Sequence, residues 1–256
     1  MTVYLLLVLS LFSSSQAQAN WQAIETTSWQ WEGTNRPHTL ILETRGDECR
    51  LRVETFGQPE LVVPIANGVV RLDNEIVNQK LIADNLMKSS YFYLSPKLRD
   101  QSGRPMLLVF NDAIASDPGG VHIVALDRKN LPVVVFSSDA FELLAITDID
   151  HDKHPELVGV HCLSQSWGTC FSTYDPYSVY RFSSRSGKAV LSVPLSRKYN
   201  LKHYYGWAGP GCSEEIAVVR CAPKGKPRVM SAERAKRLYE TKAGIPPGCR
   251  GYSAPH

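Results

Sequence analysis

Arg104-Pro105-Met106-Leu107-Leu108-Val109-Phe110, Val121-His122-Ile123-Val124-Ala125-Leu126 and Leu131-Pro132-Val133-Val134-Val135-Phe136 follow one another in the middle of the chain. They are the stretch that decides the fold. Each is a short run rich in Val, Ile, Leu and Phe, and none carries a helical period. Turn residues such as Ser102-Gly103-Arg104 and Asp117-Pro118-Gly119-Gly120 lie before the first two runs. Runs of this length and composition, bounded by Gly and Pro, are strand signals.

The same signal extends in both directions. Upstream lie Leu40 to Leu42, Leu51 to Val53, Leu61 to Ile65 and Val69 to Leu72. Downstream lie Leu143 to Ile146, Leu157 to Val160, Val179 to Phe182, Val190 to Leu195 and Ile216 to Val219. Many short strands with no helices between them predict a mainly β, antiparallel architecture. A weak repeat also runs through it. Gln58-Pro59-Glu60-Leu61-Val62-Val63, Arg104-Pro105-Met106-Leu107-Leu108-Val109 and His154-Pro155-Glu156-Leu157-Val158-Gly159 share x-Pro-x-Leu-x-(Val/Gly) at spacings of 46 and 50 residues. Periods near this length are typical of propeller blades. The expectation is therefore an irregular propeller-like array of antiparallel meanders, with blade-like units near 58–83, 104–136 and 154–195 inside an all-β domain over 20–229. The third strands of these units would be Glu75 to Ala83, Pro132 to Phe136 and Ala189 to Leu195. A β-sandwich or open sheet is the alternative. One short helix is expected after Ser231, which can cap it. The helix carries i,i+4 charge pairs Glu233 with Arg237 and Lys236 with Glu240, and residues 230–256 then form the helix and a tail packed on the domain.

Residues 1–19 carry no charge, hold the apolar run Tyr4 to Phe12 and end on Ala17-Gln18-Ala19. This predicts a secretory signal peptide cleaved before Asn20 and a secreted or periplasmic protein. No later segment has the length of a membrane-spanning helix. The six cysteines suit an oxidising compartment. Fifteen pairings exist; the short separations favour Cys162 with Cys170 and Cys212 with Cys221, leaving Cys49 with Cys249. No C-x-x-C pair speaks for a thiolate metal site. The net charge of +3 is uneven: from Arg197 onward twelve Lys or Arg face four Asp or Glu, so the tail carries +8 and the rest −5. Nothing in the sequence marks a nucleic-acid reader.

One stretch carries chemistry. In Thr147-Asp148-Ile149-Asp150-His151-Asp152-Lys153-His154-Pro155-Glu156-Leu157-Val158, three aspartates alternate and a glutamate follows four residues after the last. A tight turn can bring such carboxylates onto one hard cation. Calcium takes six to eight oxygens, which Asp148, Asp150, Asp152, the His154 carbonyl and Glu156 would supply in large part. The segment resembles the aspartate-rich loop of FG-GAP or VCBS type repeats, whose pattern is D-x-D-x-D-G followed by a Pro-Glu-Leu strand. Asp148, Asp150, Asp152, Pro155, Glu156 and Leu157 fall on that pattern, while Lys153 stands where the family has Gly, a position that needs positive φ. The resemblance covers about a dozen residues and implies a calcium-binding blade of a propeller.

The function expected from these features is that of an exported, non-enzymatic binding or structural module with a structural calcium ion. Two alternatives remain open: a metal-dependent hydrolase using this loop with His151 or His154, and a recognition surface for a glycan, peptide or protein at the cell surface. The second would use Tyr174, Tyr177, Tyr204, Tyr205 and Trp207, which lie in Gly- and Pro-rich stretches. No nucleophile elbow, zinc-protease helix, phosphate loop or dinucleotide fingerprint is present.

Overall fold

The computed structural model of the chain describes residues 20–75, 77–113, 118–167, 171–203, 206–219 and 228–239. The expected signal peptide lies outside them. Their dominant element is the antiparallel strand, gathered into four open sheets of four strands each. The first sheet is a plain meander of β1 (Gln22–Trp29), β2 (His38–Arg45), β3 (Glu48–Thr55) and β4 (Leu61–Ile65). A short helix α1 (Gln79–Ile82) leads to the second meander, β5 (Tyr93–Arg99), β6 (Pro105–Asn111), β7 (Gly120–Leu126) and β8 (Pro132–Ser138).

The last two sheets interleave. The chain lays down β9 (Glu142–Thr147) and β10 (Glu156–Val160), leaves for β11 (Ser166–Trp167) and β12 (Phe171–Tyr174), then returns with β13 (Ser178–Phe182) and β14 (Ala189–Leu191). After helix α2 (Val193–His203) it adds β15 (Ser213–Val219) and β16 (Arg228–Ser231), and helix α3 (Ala232–Tyr239) follows. The third sheet therefore has the order β14-β13-β10-β9, and the fourth β11-β12-β15-β16.

Side-chain alternation explains how three of these sheets stack. On β6, Met106, Leu108 and Phe110 face a core shared with Leu143, Ile146 and Leu157 of the third sheet. The intervening Leu107 and Val109 face a second core with Leu40, Leu42, Leu51 and Val53 of the first sheet. The middle of the second sheet is thus buried on both faces, which is why β6, β7 and most of β8 read as continuous apolar runs where a half-exposed sheet would alternate. Each fully buried Leu or Val contributes about 1.5–3 kcal/mol relative to exposure. On the far side of the third sheet, Val158 and Val179 are covered by Leu195 and Tyr199 of α2. The fourth sheet packs Phe171, Ala217 and Val219 against Ala232 and Ala235, the latter two on α3.

Several details differ from the sequence expectation. There are three helices among the described residues, not one. Glu75 to Ala83, expected as a strand, contains α1, which Asn78 caps by accepting a hydrogen bond from the Lys80 amide at 3.1 Å. The run Val190 to Leu195 divides between β14 and the first turn of α2. Ser192 precedes that turn and its carbonyl accepts from the Ser196 amide at 2.8 Å, while Pro194 sits where a helix has no use for an amide proton. Apolar residues near a capping Ser and Pro were compatible with either period. Val69 to Leu72 forms no strand and makes only an isolated bridge, Val69 to Asn111.

The x-Pro-x-Leu motif does begin strands, but not equivalent ones. Its first copy precedes β4, the last strand of its meander, whereas the others open β6 and β10, each second in its own. Segment 58–83 therefore joins the end of the first sheet to α1. Ser231 caps α3 as expected, its Oγ accepting from the Arg234 amide at 3.4 Å.

Candidate metal centre

The loop from Asp148 to Pro155 joins β9 to β10 at the edge of the third sheet. Backbone geometry folds it tightly. His151 and Lys153 both take positive φ, 66° and 72°. Position 153 thus has the left-handed conformation that the repeat pattern assigns to glycine, here borne by a lysine at some cost in strain. The loop then binds its own amides: Asp148 accepts from the Asp152 amide at 3.1 Å and the Lys153 amide at 2.9 Å, and Asp152 accepts from the His154 amide at 2.8 Å.

These bonds set the carboxylates. Asp148, Asp150 and Glu156 each turn one oxygen into a common space, with those oxygens all within 4.8 Å of one another. Glu156 is 0% exposed. Its Oε2 accepts from the Ile149 amide at 2.8 Å, while Oε1 is buried without a hydrogen-bond partner. Asp150 Oδ1 is likewise buried and unpaired. Burial raises the Glu156 pKa, and the charges on Asp150 and Asp152 raise it further; the Ile149 amide and Arg181 act in the opposite direction. Two buried carboxylate oxygens without a partner, on residues of one acidic group, are costly as they stand. A hard divalent cation is the kind of group that satisfies both, and an all-oxygen donor set is what calcium or magnesium takes.

Of the four expected carboxylate ligands, the structure therefore brings three together. Asp152 faces outward to Arg181 on β13, whose Nη2 lies 2.7 Å from Asp152 Oδ2 and 3.4 Å from Asp150 Oδ2. His154 is exposed, and neither its ring nor that of the exposed His151 joins the carboxylate group. Arg181 was missed in the sequence because it lies 29 residues from Asp152, on a strand whose pairing with β10 only the fold defines.

The cysteine expectations need correction. Cys162 is bonded to Cys212, across 50 residues, with a Cα–Cα distance of 6.5 Å, and so neither Cys162–Cys170 nor Cys212–Cys221 forms. The reason is the interleaved topology. Gln165 accepts a backbone hydrogen bond from Thr173, and Tyr174 is in register with Ser213, so the segments preceding β11 and β15 meet at the same end of the fourth sheet. Cys170, Cys221 and Cys249 lie outside the described residues. Cys49 is buried on β3 without a disulfide among those residues.

The aromatic recognition surface is corrected in part. Tyr174 is 1% exposed, with its hydroxyl accepting from the Ala208 amide and donating to the Gly209 carbonyl, both at 3.0 Å. It pins the loop before β15 and presents nothing to solvent. Tyr177 is half-buried against Tyr199, ring centroids 5.2 Å apart. Trp207 is half-buried beside a cleft that Arg228 and Met230 also line. Tyr204 and Tyr205 lie outside the described residues.

A second polar group appears where no motif marks it. His122 on β7 is fully buried; its Nδ1 is 2.9 Å from Ser137 Oγ on β8, and its Nε2 is 3.3 Å from Asp139 Oδ1. Asp139 also accepts from the Ala66 amide at 3.1 Å, so the group ties the β7–β8 hairpin to the turn after β4. Burial holds the imidazole below its usual pKa despite Asp139, keeping it neutral at pH 7. Compared with protein-family models, with curated proteins and with solved structures, the chain matches none, so the reading of this centre stands on its own geometry.

Proposed function

We propose that this is an exported, non-enzymatic β protein, a binding or structural module, in which the β9–β10 hairpin holds a structural calcium ion. The observation that carries this reading is Glu156: a fully buried carboxylate with one unpaired oxygen, grouped with Asp148 and with Asp150, whose Oδ1 is also unpaired. Asp148, Asp150 and Glu156 would hold the ion, with the His154 carbonyl and water as further oxygens. Calcium suits a flexible loop of oxygen donors better than magnesium, which demands a stricter octahedron. The D-x-D-x-D spacing and the positive φ at Lys153 agree with a degenerate FG-GAP or VCBS type loop. The apolar N-terminal run and the Cys162–Cys212 disulfide support export, where calcium-binding modules work at dissociation constants of about 10⁻⁴ to 10⁻³ M.

The test is thermal unfolding of the purified, chelator-treated protein across a calcium titration. At a calcium concentration a hundred times the dissociation constant, binding adds about 2.7 kcal/mol. For a domain of this size that is a rise in Tm of about 5–11 °C. A melting curve indifferent to calcium up to 10 mM overturns the reading.

A further inference from the structure

We propose that Arg181 is a resident counter-cation of the acidic hairpin and the residue that sets how tightly the hairpin holds a divalent ion. The inference rests on the calcium reading above and concerns the same site. Leu157 on β10 pairs with Tyr180 on β13, and both face the core between the second and third sheets. Alternation then puts their neighbours, Glu156 and Arg181, together on the opposite face. From there the guanidinium reaches the outer oxygens of the hairpin, Asp152 Oδ2 at 2.7 Å and Asp150 Oδ2 at 3.4 Å.

The carboxylates are thereby divided. Asp150 Oδ2 and Asp152 Oδ2 meet Arg181, while Asp150 Oδ1 and Glu156 Oε1, the inner oxygens, are buried without a partner. Asp150 belongs to both halves. A divalent ion on the inner oxygens and the guanidinium on the outer ones would draw on the same negative charge and repel each other. Arg181 is 46% exposed at its side chain and has solvent to swing into. It therefore stabilises the folded hairpin without metal and opposes metal once it arrives. Removing it leaves the carboxylates to repel one another, a repulsion that only the divalent ion then relieves, so affinity rises as metal-free stability falls. Lysine at the same position keeps the charge.

The experiment is calorimetric titration of the full folded protein with calcium chloride, for the parent, Arg181→Gln and Arg181→Lys. Arg181→Met, which keeps the aliphatic stem along the strand, replaces the glutamine variant if that one does not fold. We expect the neutral variant to bind calcium about tenfold more tightly than the parent and to melt lower without metal, and the lysine variant to stay within about threefold of the parent. Calcium binding by the parent with equal or weaker binding by the neutral variant overturns the role of Arg181 and leaves the calcium site standing. Binding by the neutral variant alone overturns the calcium reading of the parent and supports the opposition of Arg181 to metal, the arginine then excluding the ion. Binding by neither overturns both.

Discussion

Replacing Glu156 by Gln is the perturbation that most sharply separates a metal centre from a polar turn. Asp148, Asp150 and Glu156 hold oxygens within 4.8 Å of one another. Two unit charges at that distance repel by about 1 kcal/mol in water and about 3.5 kcal/mol at an effective dielectric of 20. Neutralising Glu156 removes two of the three repulsions. Asp150 keeps 23% of its side-chain exposure and is already beside Arg181, which pulls the gain towards the lower value, about 1–2 kcal/mol in the absence of metal. The fold should accept the change. The glutamine carbonyl can take over the Ile149 amide, and its NH2 group can donate to the aspartates where Glu156 Oε1 has no partner. The variant should therefore melt about 2–8 °C above the chelator-treated parent and show no further rise with calcium. Differential scanning calorimetry with and without calcium measures both. A variant that melts below the metal-free parent, or that still gains stability from calcium, refutes the reasoning.

Two other consequences concern the scaffold. His38 and His122 are both buried, and burial, reinforced at His38 by Arg104, lowers their pKa values below 6.5. The unfolded chain then binds protons first, so stability is complete above pH 6.5 and declines as pH falls from there towards the folded pKa values; His122→Asn should flatten that slope in urea titrations run from pH 7.5 to 5. At Gly159 on β10 an added Cβ would meet the Glu142 carbonyl oxygen, and Phe141 Cζ at 2.6 Å, so Gly159→Ala should cost about 3 kcal/mol of unfolding free energy in the same assay.

Strand content was legible because nearly every strand of the three stacked sheets buries β-branched or aliphatic residues, and the middle of the second sheet does so on both faces. The acidic hairpin was legible because its spacing is local: alternate aspartates and a glutamate beginning the next strand need no tertiary information. What was hidden depends on pairing between distant segments. Arg181 reaches the hairpin only because β13 lies beside β10. The disulfide joins Cys162 to Cys212 only because β12 pairs with β15. Short sequence separations pointed to other partners. Helix α2 was hidden for a different reason. Apart from Ser192, Val190 to Leu195 is apolar, and without alternation only Ser192 and Pro194 mark the change from strand to helix.

The crossing of the chain between its last two sheets has a bearing on how the molecule can be divided. A cut between β10 and β11 leaves the third sheet without β13 and β14, and one between β12 and β13 leaves both sheets incomplete. A cut after β14 strands β11 and β12 on the wrong fragment. Residues 142–231 are consequently one interleaved unit: the acidic hairpin between β9 and β10 precedes the strand bearing Arg181 by an excursion into a different sheet. Internal fusion joints and protease sites therefore belong outside 142–231, since any cut within it parts strands that pair.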